Sequence, residues 1–594
     1  MGREDQAAGI SQAPAVAVPA AADAAATTKP TRLTTRRVFL LVLAILFVCG
    51  LPYPAAGPID DTYITFRYAD NLVHGHGLVF NPGERVEGYT SFGELLLTAP
   101  AVAIAKPLAR PWATLLALMG WAGVVALVWA YIDRRRGGGP LGRAEWFPII
   151  FLATFPPAVV WAWSGMETAL VALAWVASWF VHLNEREHER TPWRSGLLTF
   201  AAGLLHPEGA LLVGLVLALS WLLPWRRRSL KNAAVYLGIA WGLFGLYWLW
   251  RWHYFGDFMP NTYWMKVGAK PPILAGLRYL FRSSSSTLIA LYLFYLLWVN
   301  RRQWRNWPRA LFVALGLWAA VASYTVLVGG DYFAFQRFML PGFPLMVASI
   351  WMLQRFLPVP TEPKPTLMSP LGWAVTVSLL LALWCNFVPS LQVLEHLSFR
   401  RAIRPSVAAG KAFKAAVPRR DLVATLPIGA FGYYSGNRIL DMMGLTDRHI
   451  AHLDIETGEG AAGHEKSDYV YVLSKRPEVI VQLPTLFTAD QEGFQSWMRR
   501  STFARQQTGI YEQPKFEADY RLAWLFVRKQ RIRGRGMVEV GVYAFLRKDL
   551  VGRARYRQWR TFDETTSRFP FEHWREYQES SAEYFGSSLG MWNF

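Results

Sequence analysis

Two adjacent carboxylates, Asp60 and Asp61, open the segment D-D-T-Y-I-T-F-R-Y-A-D-N-L. A carboxylate can take a proton from a hydroxyl or hold a cation. Ile64, Tyr68 and Leu72 recur at four-residue spacing, which predicts a helix whose N-terminus Asp61 or Thr62 would cap. Capping and balancing the helix dipole would by themselves account for both acids. Neighbouring residues do not share a helix face, so the pair does not read as a shared-proton dyad. Instead one acid would face a cavity, and the other would orient a partner or bind a cation.

Other chemistry-bearing residues are scattered along the chain. The stretch H-G-H-G-L-V-F-N-P-G-E-R-V-E-G-Y-T-S holds His74, His76, Asn81, Glu84, Arg85 and Glu87. Its Gly and Pro residues predict a surface loop, and the histidine spacing fits no common structural zinc pattern. Glu167 in W-S-G-M-E-T and Glu208 in H-P-E-G each begin an apolar run, where an acid also suits a helix N-terminus. R-W-H-Y-F-G-D-F-M-P-N-T-Y-W-M-K sets Arg251, His253, Asn261 and Lys266 among aromatics, and G-G-D-Y-F-A-F-Q-R carries Asp331 and Arg337. Cations beside an aromatic membrane-interface belt would suit the phosphate of a lipid carrier. No P-loop, dinucleotide fingerprint or triad motif is present, which argues against direct use of cytosolic nucleotides.

The elements that must position these residues are apolar. Of 594 residues 53% are hydrophobic and 15% aromatic, more than one soluble core of that size uses. The apolar residues come in blocks from about Arg37 to Asn386, many with Trp or Tyr close to an end. Net charge is +20, but the arginines cluster between apolar runs, the positive-inside pattern rather than a nucleic-acid footprint. Cys49 and Cys385 lie in apolar runs and read as small hydrophobes. With the Arg clusters inside, Val38 to Leu51 is a first span and Ser91 to Ala105 a helix lying on or dipping into the outer surface. The runs from Pro111 to Phe387 then alternate, about eleven spans in all, with a short hairpin about His206 to Gly209. The chain divides into a cytoplasmic tail (1–36), a transmembrane domain (37–397, with a first outer loop at 57–110) and an outer water-soluble domain (398–594). The fold class is thus a polytopic α-helical membrane protein with a C-terminal extracytoplasmic α/β or α+β domain. Every polar motif named above falls at the outer end of a span. Ionisable groups held at that depth usually mark a site. An outer-face site has no nucleotide sugar to draw on, whereas a lipid-linked donor would reach it.

Taken in order, these motifs resemble the GT-C-type glycosyltransferases, membrane enzymes using polyprenyl-phosphate-linked sugars. More closely, the chain is similar to the terminal arabinofuranosyltransferases of mycobacterial cell-wall arabinan. D-D, F-N-P-G-E-R-V-E-G-Y-T-S, G-M-E-T, P-E, Y-F-G-D-F-M-P-N-T-Y-W-M-K, G-G-D-Y-F-A-F-Q-R-F-M-L-P, G-Y-Y-S-G-N-R-I-L-D-M-M-G-L-T-D and G-H-E-K carry the likeness from Asp60 to about Lys475. His206 departs from the family, which usually has Arg before Pro-Glu. The resemblance implies transfer of a sugar, arabinofuranose by analogy, from a polyprenyl-phosphate donor to a glycan, lipid or protein acceptor at the outer face of a bacterial inner membrane. Asp60 or Asp61 would be the general base. Arg85, Lys266 and Arg337 would meet the leaving phosphate, Glu167 and Glu208 the sugar hydroxyls, and Glu87 and Asp331 would complete the substrate-binding set. The two aspartates could also hold a divalent cation, although no full ligand set is identifiable. Another sugar moved to lipopolysaccharide or pilin, and a flippase without catalysis, are the competing readings. A transporter would show repeated halves, and no convincing repeat is present.

In the C-terminal domain Asp421 to Leu426, Tyr469 to Leu473 and Met537 to Leu546 read as strands. The tail aromatics Trp559, Trp574, Tyr577, Tyr584 and Trp592 could stack on sugars, with ordinary packing the simpler role.

Overall fold

The computed structural model describes residues 34–50, 59–136, 143–223, 227–265, 273–282, 284–331, 333, 335–357, 403–455, 465–490, 494, 508–532 and 536–562. Lys266, the run 371–387, the N-terminal tail to residue 33 and Trp574, Tyr577, Tyr584 and Trp592 lie outside them.

The N-terminal portion is helical. Helices α1 (Thr35–Gly50), α2 (Asp60–Val73), α3 (Phe92–Ile104), α4 (Ala109–Arg135), α5 (Arg143–Thr154), α6 (Pro156–Ala162), α7 (Thr168–Glu187), α8 (Trp193–Leu205), α9 (Gly214–Leu222) and α10 (Arg227–Phe255) lead to the short α11 (Asn261–Trp264). α12 (Ile273–Arg282), α13 (Ser284–Val299), α14 (Arg309–Leu327) and α15 (Phe343–Gln354) follow. Among the described residues three helices are long and apolar enough to cross a membrane: Lys106–Arg135, Ser229–Phe255 and Arg309–Leu327. A fourth candidate is the pair Glu145–Thr154 and Pro156–Ala162, bent by 49°. Pro156 and Pro157 explain the bend, since a proline lacks an N–H and clashes with the preceding turn. The count of eleven is therefore not reached on length and composition. Two of the expected spans are shorter apolar helices, Gly209–Leu222 and Leu288–Val299, and Phe92–Ile104, expected as a helix that does not cross, is likewise a shorter apolar helix.

Tryptophan positions differ from the expected belt. Trp121, Trp129, Trp161, Trp175, Trp179 and Trp351 are wholly buried within the helical core. Several indole N–H groups bind backbone carbonyls there: Trp121 to Leu152 at 2.8 Å, Trp163 to Leu46 at 2.9 Å and Trp161 to Phe335 at 3.1 Å. Such bonds remove the cost of burying the indole's polar edge and tie helices distant in sequence.

After α16 (Ile403–Ala416) the chain forms a mixed sheet of β1 (Leu422–Thr425), β2 (Arg438–Asp441), β3 (Val479–Val481), β4 (Phe487–Thr488), β5 (Tyr520–Ile532), β6 (Gly536–Arg547) and β7 (Trp559–Thr561). Strand order is β2-β1-β3-β6-β5-β7, with β4 also on β6. β1 is parallel to β2 and β3, while β6 is antiparallel to β3, β4 and β5, and β5 is antiparallel to β7. The parallel pairs are joined through short helices, α17 (Gly429–Ser435) between β1 and β2 and α18 (Arg448–Ala451) and α19 (Tyr469–Ser474) before β3. Tyr469 to Leu473, expected as a strand, is the helix α19. Asp468 decides it, because its side chain accepts the Tyr471 N–H at 2.8 Å and caps the first turn. The first predicted strand is β1, and the third is β6.

Candidate active site

Helix α2 begins at Asp60, as the spacing predicts, but neither Asp61 nor Thr62 caps it: Ile59 holds the cap position and no side chain bonds there. Asp60 caps a different helix. The Gly429 and Ala430 N–H groups, at the start of α17, donate to its two carboxylate oxygens at 2.8 Å each. Helix N-termini carry unpaired N–H groups and partial positive charge, so a carboxylate there satisfies both. Gly429 is required: a Cβ would lie 2.1 Å from the Asp60 carbonyl oxygen and 2.6 Å from Oδ2. Burial outweighs these hydrogen bonds and pushes the Asp60 carboxyl up to about 6, with the Asp61 charge adding to the rise.

The first turn of α2 meets the W-S-G-M-E-T turn. Thr62 Oγ1 donates to the Ser164 carbonyl at 3.4 Å, and a Cβ on Gly165, which sits at φ +77°, would touch Thr62 at 3.4 Å. Met166 Sδ lies 3.8 Å from Arg337 Nη1. The next residue, Glu167, is buried, as is Glu94 of α3, on which its charge acts. Burial and the Glu167 charge drive the Glu94 carboxyl well above the ordinary range. Sequence reasoning missed Glu94. Its signal was the S-x-x-E spacing from Ser91, which reads as a capping box. Ser91 does cap α3, accepting the Glu94 N–H at 3.2 Å, while the acid feels the charge of Glu167.

Arg337 Nε pairs with Asp331 Oδ2 at 2.7 Å, both side chains largely buried. The Arg337 guanidinium also lies 4.9 Å from the Phe333 ring and 5.3 Å from that of Phe338. Phe335 and Gln336, just before it, have φ of +65° and +44°. Non-glycine residues there cost on the order of 1–3 kcal/mol each, a strain found where surroundings over-determine the backbone. Gln336 Nε2 donates to the Tyr279 and Leu280 carbonyls at 3.1 and 3.0 Å and so holds the turn on α12. Glu208 pairs with His206 and hydrogen-bonds the Tyr324 hydroxyl, and Tyr324 also feels the charges of Arg337 and Asp331. Tyr324 carried no sequence signal, being one aromatic in an apolar run. Gly93 packs on Leu204 and Leu205, which brings the start of α3 beside the H-P-E segment.

Thus Asp60, Asp61, Glu167, Glu208, Asp331 and Arg337 are linked through neighbouring contacts, joined by Glu94 and Tyr324. Two predicted residues are engaged elsewhere. Glu87 accepts from Arg251 Nε at 2.7 Å in a pair exposed by only 5% and 1%. Arg85 is exposed and stacks 4.8 Å from the Tyr254 ring centre. His74 and His76 are exposed, in keeping with a surface loop. Among the described residues no three His, Cys, Asp or Glu side chains are grouped to hold a metal ion.

The segment from α2 to the loop after it is clamped to the C-terminal domain. Arg67, wholly inside, donates to the carbonyls of Phe80 at 2.8 Å, Gly432 at 2.6 Å and Asn437 at 2.6 Å and to Asn81 Oδ1 at 3.0 Å. Asn81 in turn pairs with Ile439 of β2 like an added strand, donating to its carbonyl at 2.7 Å and accepting its N–H at 3.0 Å. Asn261 donates to the Gly444 and Leu445 carbonyls at 2.7 and 2.9 Å, docking α11 on the same domain.

Comparison with known proteins supports the resemblance read from the motifs. Residues 395–543 match a family model described as a domain of unknown function, DUF8728. Over 279 residues the chain is 31% identical to the terminal beta-(1->2)-arabinofuranosyltransferase of Mycobacterium tuberculosis, a match covering 43% of this chain and 40% of that protein's length. Among solved structures, ArnT from Cupriavidus metallidurans bound to undecaprenyl phosphate aligns at 13% identity and TM-score 0.48, over 85% of this chain and 97% of that one. The oligosaccharyltransferase AglB from Archaeoglobus fulgidus, in complex with an inhibitory peptide and a dolichol-phosphate, aligns at 10% identity and TM-score 0.49, over 91% and 77%. The chain resembles the arabinofuranosyltransferase in sequence and spans less than half of its length.

Proposed function

We propose that this protein is a membrane glycosyltransferase that moves a sugar, arabinofuranose by resemblance, from a polyprenyl-phosphate donor to an acceptor hydroxyl at the outer face of the inner membrane. The observation that carries this reading is the W-S-G-M-E-T turn, which touches the first turn of α2 through Thr62 and Arg337 through Met166, and whose Glu167 charge acts on Glu94. One short segment thereby gathers a carboxylate base, a cation and hydroxyl-binding acids, the three kinds of group that glycosyl transfer needs.

With both oxygens of Asp60 bound to backbone N–H groups, we assign proton removal from the acceptor hydroxyl to Asp61 and a positioning role to Asp60. Arg337, oriented by Asp331, receives the developing charge on the departing phosphate. Glu167 and Glu208 hold the sugar's hydroxyls. Glu87, taken up by Arg251, supports the loop.

The test is transfer by the purified full chain in lipid, supplied with radiolabelled polyprenyl-phosphoryl-arabinose and a defined glycan acceptor. Asp61→Asn is expected to lower kcat roughly a hundredfold or more. If wild type transfers nothing above Asp60→Ala and Asp61→Ala with any pentose or hexose donor, the reading fails. Movement of the donor across vesicles without transfer would instead favour a flippase.

A further inference from the structure

Strands β5 and β6 are much longer than the rest of their sheet, and the surplus lies at one end. Ala424 of β1, Ile480 of β3, Phe545 of β6 and Leu522 of β5 form one row across the sheet. β1 stops just past that row, at Thr425. β5 instead runs on to Ile532, and the chain returns as β6 from Gly536, an arm of roughly 30 Å of extended chain. β7 pairs with Ala523 to Leu525 and β4 with Val540 and Gly541. Among the described residues no third strand pairs with the arm beyond these positions. A two-stranded hairpin is at best marginally stable alone in water, so an arm of this length needs a surface to lie against.

The same register sets the direction of the arm. β1 is parallel to β3, and two antiparallel steps, β3 to β6 and β6 to β5, bring β5 back to the direction of β1. The chain leaving β1 reaches Gly429 and Ala430, which bind Asp60 of α2. The chain leaving β2, parallel to β1, reaches Gly444 and Leu445, which bind Asn261 of α11. The end of the sheet toward which β5 runs therefore faces the helical portion. The arm also has the composition of a segment held at an anionic lipid surface, cations with apolar side chains among them. Arg528, Lys529 and Arg531 are exposed, and Glu539 is the one acid among the arm's described residues. Phe526 is 44% and Met537 64% exposed.

We propose that the β5–β6 arm, residues 526–532 and 536–540, attaches the C-terminal domain to the anionic phospholipid headgroups of the bilayer that holds the helical portion. Arg528, Lys529 and Arg531 meet headgroup phosphates. Phe526 and Met537 enter the boundary between headgroups and acyl chains. Together with the Asp60 and Asn261 contacts, the arm gives that domain a second support over the helices. The inference rests on the membrane location in the proposed function and is independent of sugar transfer.

The test is a spin label at position 537 of Met537→Cys, in the full chain carrying Cys49→Ser and Cys385→Ser. Its collisions with a water-soluble nickel chelate, and with oxygen, which concentrates among acyl chains, report where the arm lies. In bilayers of phosphatidylcholine mixed with phosphatidylglycerol the label is expected to collide with oxygen and to be shielded from nickel. In phosphatidylcholine alone, or with Arg528→Glu, Lys529→Glu and Arg531→Glu combined, nickel collisions are expected to rise about threefold or more. Salt at about 1 M, which shortens the screening length to about 3 Å, is expected to do the same without any change to the three cations, so the test stands even where the triple variant folds poorly. A label open to nickel in both lipid mixtures would overturn the attachment. Shielding that neither the triple variant nor salt alters would also overturn it, and would mark a protein cover such as a second copy. Shielding that arises only when an acceptor glycan is added would overturn it in favour of a sugar-binding surface. The label needs no turnover, so shielding in a chain that transfers no sugar refutes the transfer reading and leaves the arm standing, whereas an exposed label in an active chain overturns the arm alone.

Discussion

Asp60 and Asp61 are neighbours in sequence with different surroundings. Asp60 carries a folded-state carboxyl raised from 3.8 to about 6, chiefly by burial. A raised acid favours folding in its protonated form, so this contribution is complete below about pH 4 and is lost as pH rises through about 6. Asp60→Asn has no charge to bury. The melting temperature of wild type, measured against this variant, is therefore expected to fall between pH 5 and pH 7. A constant difference across that window would show that Asp60 does not titrate there. The helix that opens on the two acids was legible in the sequence. The partners of Asp60 were not, because the N–H groups that occupy it belong to residues 369 and 370 positions further on. Glu94 was hidden for another reason: its spacing from Ser91 fits a local cap, and only the packing of α3 beside the W-S-G-M-E-T turn gives it a second acid as neighbour.

Among the elements, those with strong local signals matched the reading of the chain. α2 starts at Asp60, and β1 and β6 lie where apolar alternation put them. α19 failed because Tyr, Val and Leu favour strands while one capping aspartate outside the run overrides them. The buried Glu87–Arg251 pair ties the loop after α2 to the end of α10, and Arg251 also donates to the Phe258 carbonyl at 2.6 Å. Glu87→Leu, which leaves the guanidinium buried without its acid, is expected to cost about 3–5 kcal/mol. Chemical unfolding followed by intrinsic fluorescence checks this, and a loss below about 1 kcal/mol would mean that the pair lies near enough to water to be replaced. Gly429→Ala forces the start of α17 away from Asp60. Its expected effect is a transfer rate lowered at least tenfold with the Glu87–Arg251 pair intact, read from kcat beside an unfolding curve like that of wild type.

At the scale of the molecule, a helical portion and a mixed α/β domain are joined through polar contacts that no periodicity announces. Arg67 sits inside and binds three backbone carbonyls, two of them in the C-terminal domain. Arg67→Met is expected to orphan those carbonyls and loosen the domain, so that limited proteolysis between residues 395 and 450 runs about tenfold faster or more than in wild type. Unchanged cleavage would assign the docking to Asn81, Asn261 and Asp60 instead. The apolar blocks and the change of composition near Ser398 made the two portions visible, whereas their mutual orientation rests on side chains contacting residues several hundred positions away.

The bond from Asp60 to the start of α17 also orders events in time. Gly429 and Ala430 lie 369 and 370 positions after Asp60, so the ribosome makes nearly the whole helical portion before they exist to receive it. Until then the Asp60 carboxylate has no anchor, so a nascent or truncated chain that stops short of the C-terminal domain lacks the contact that fixes the start of α2.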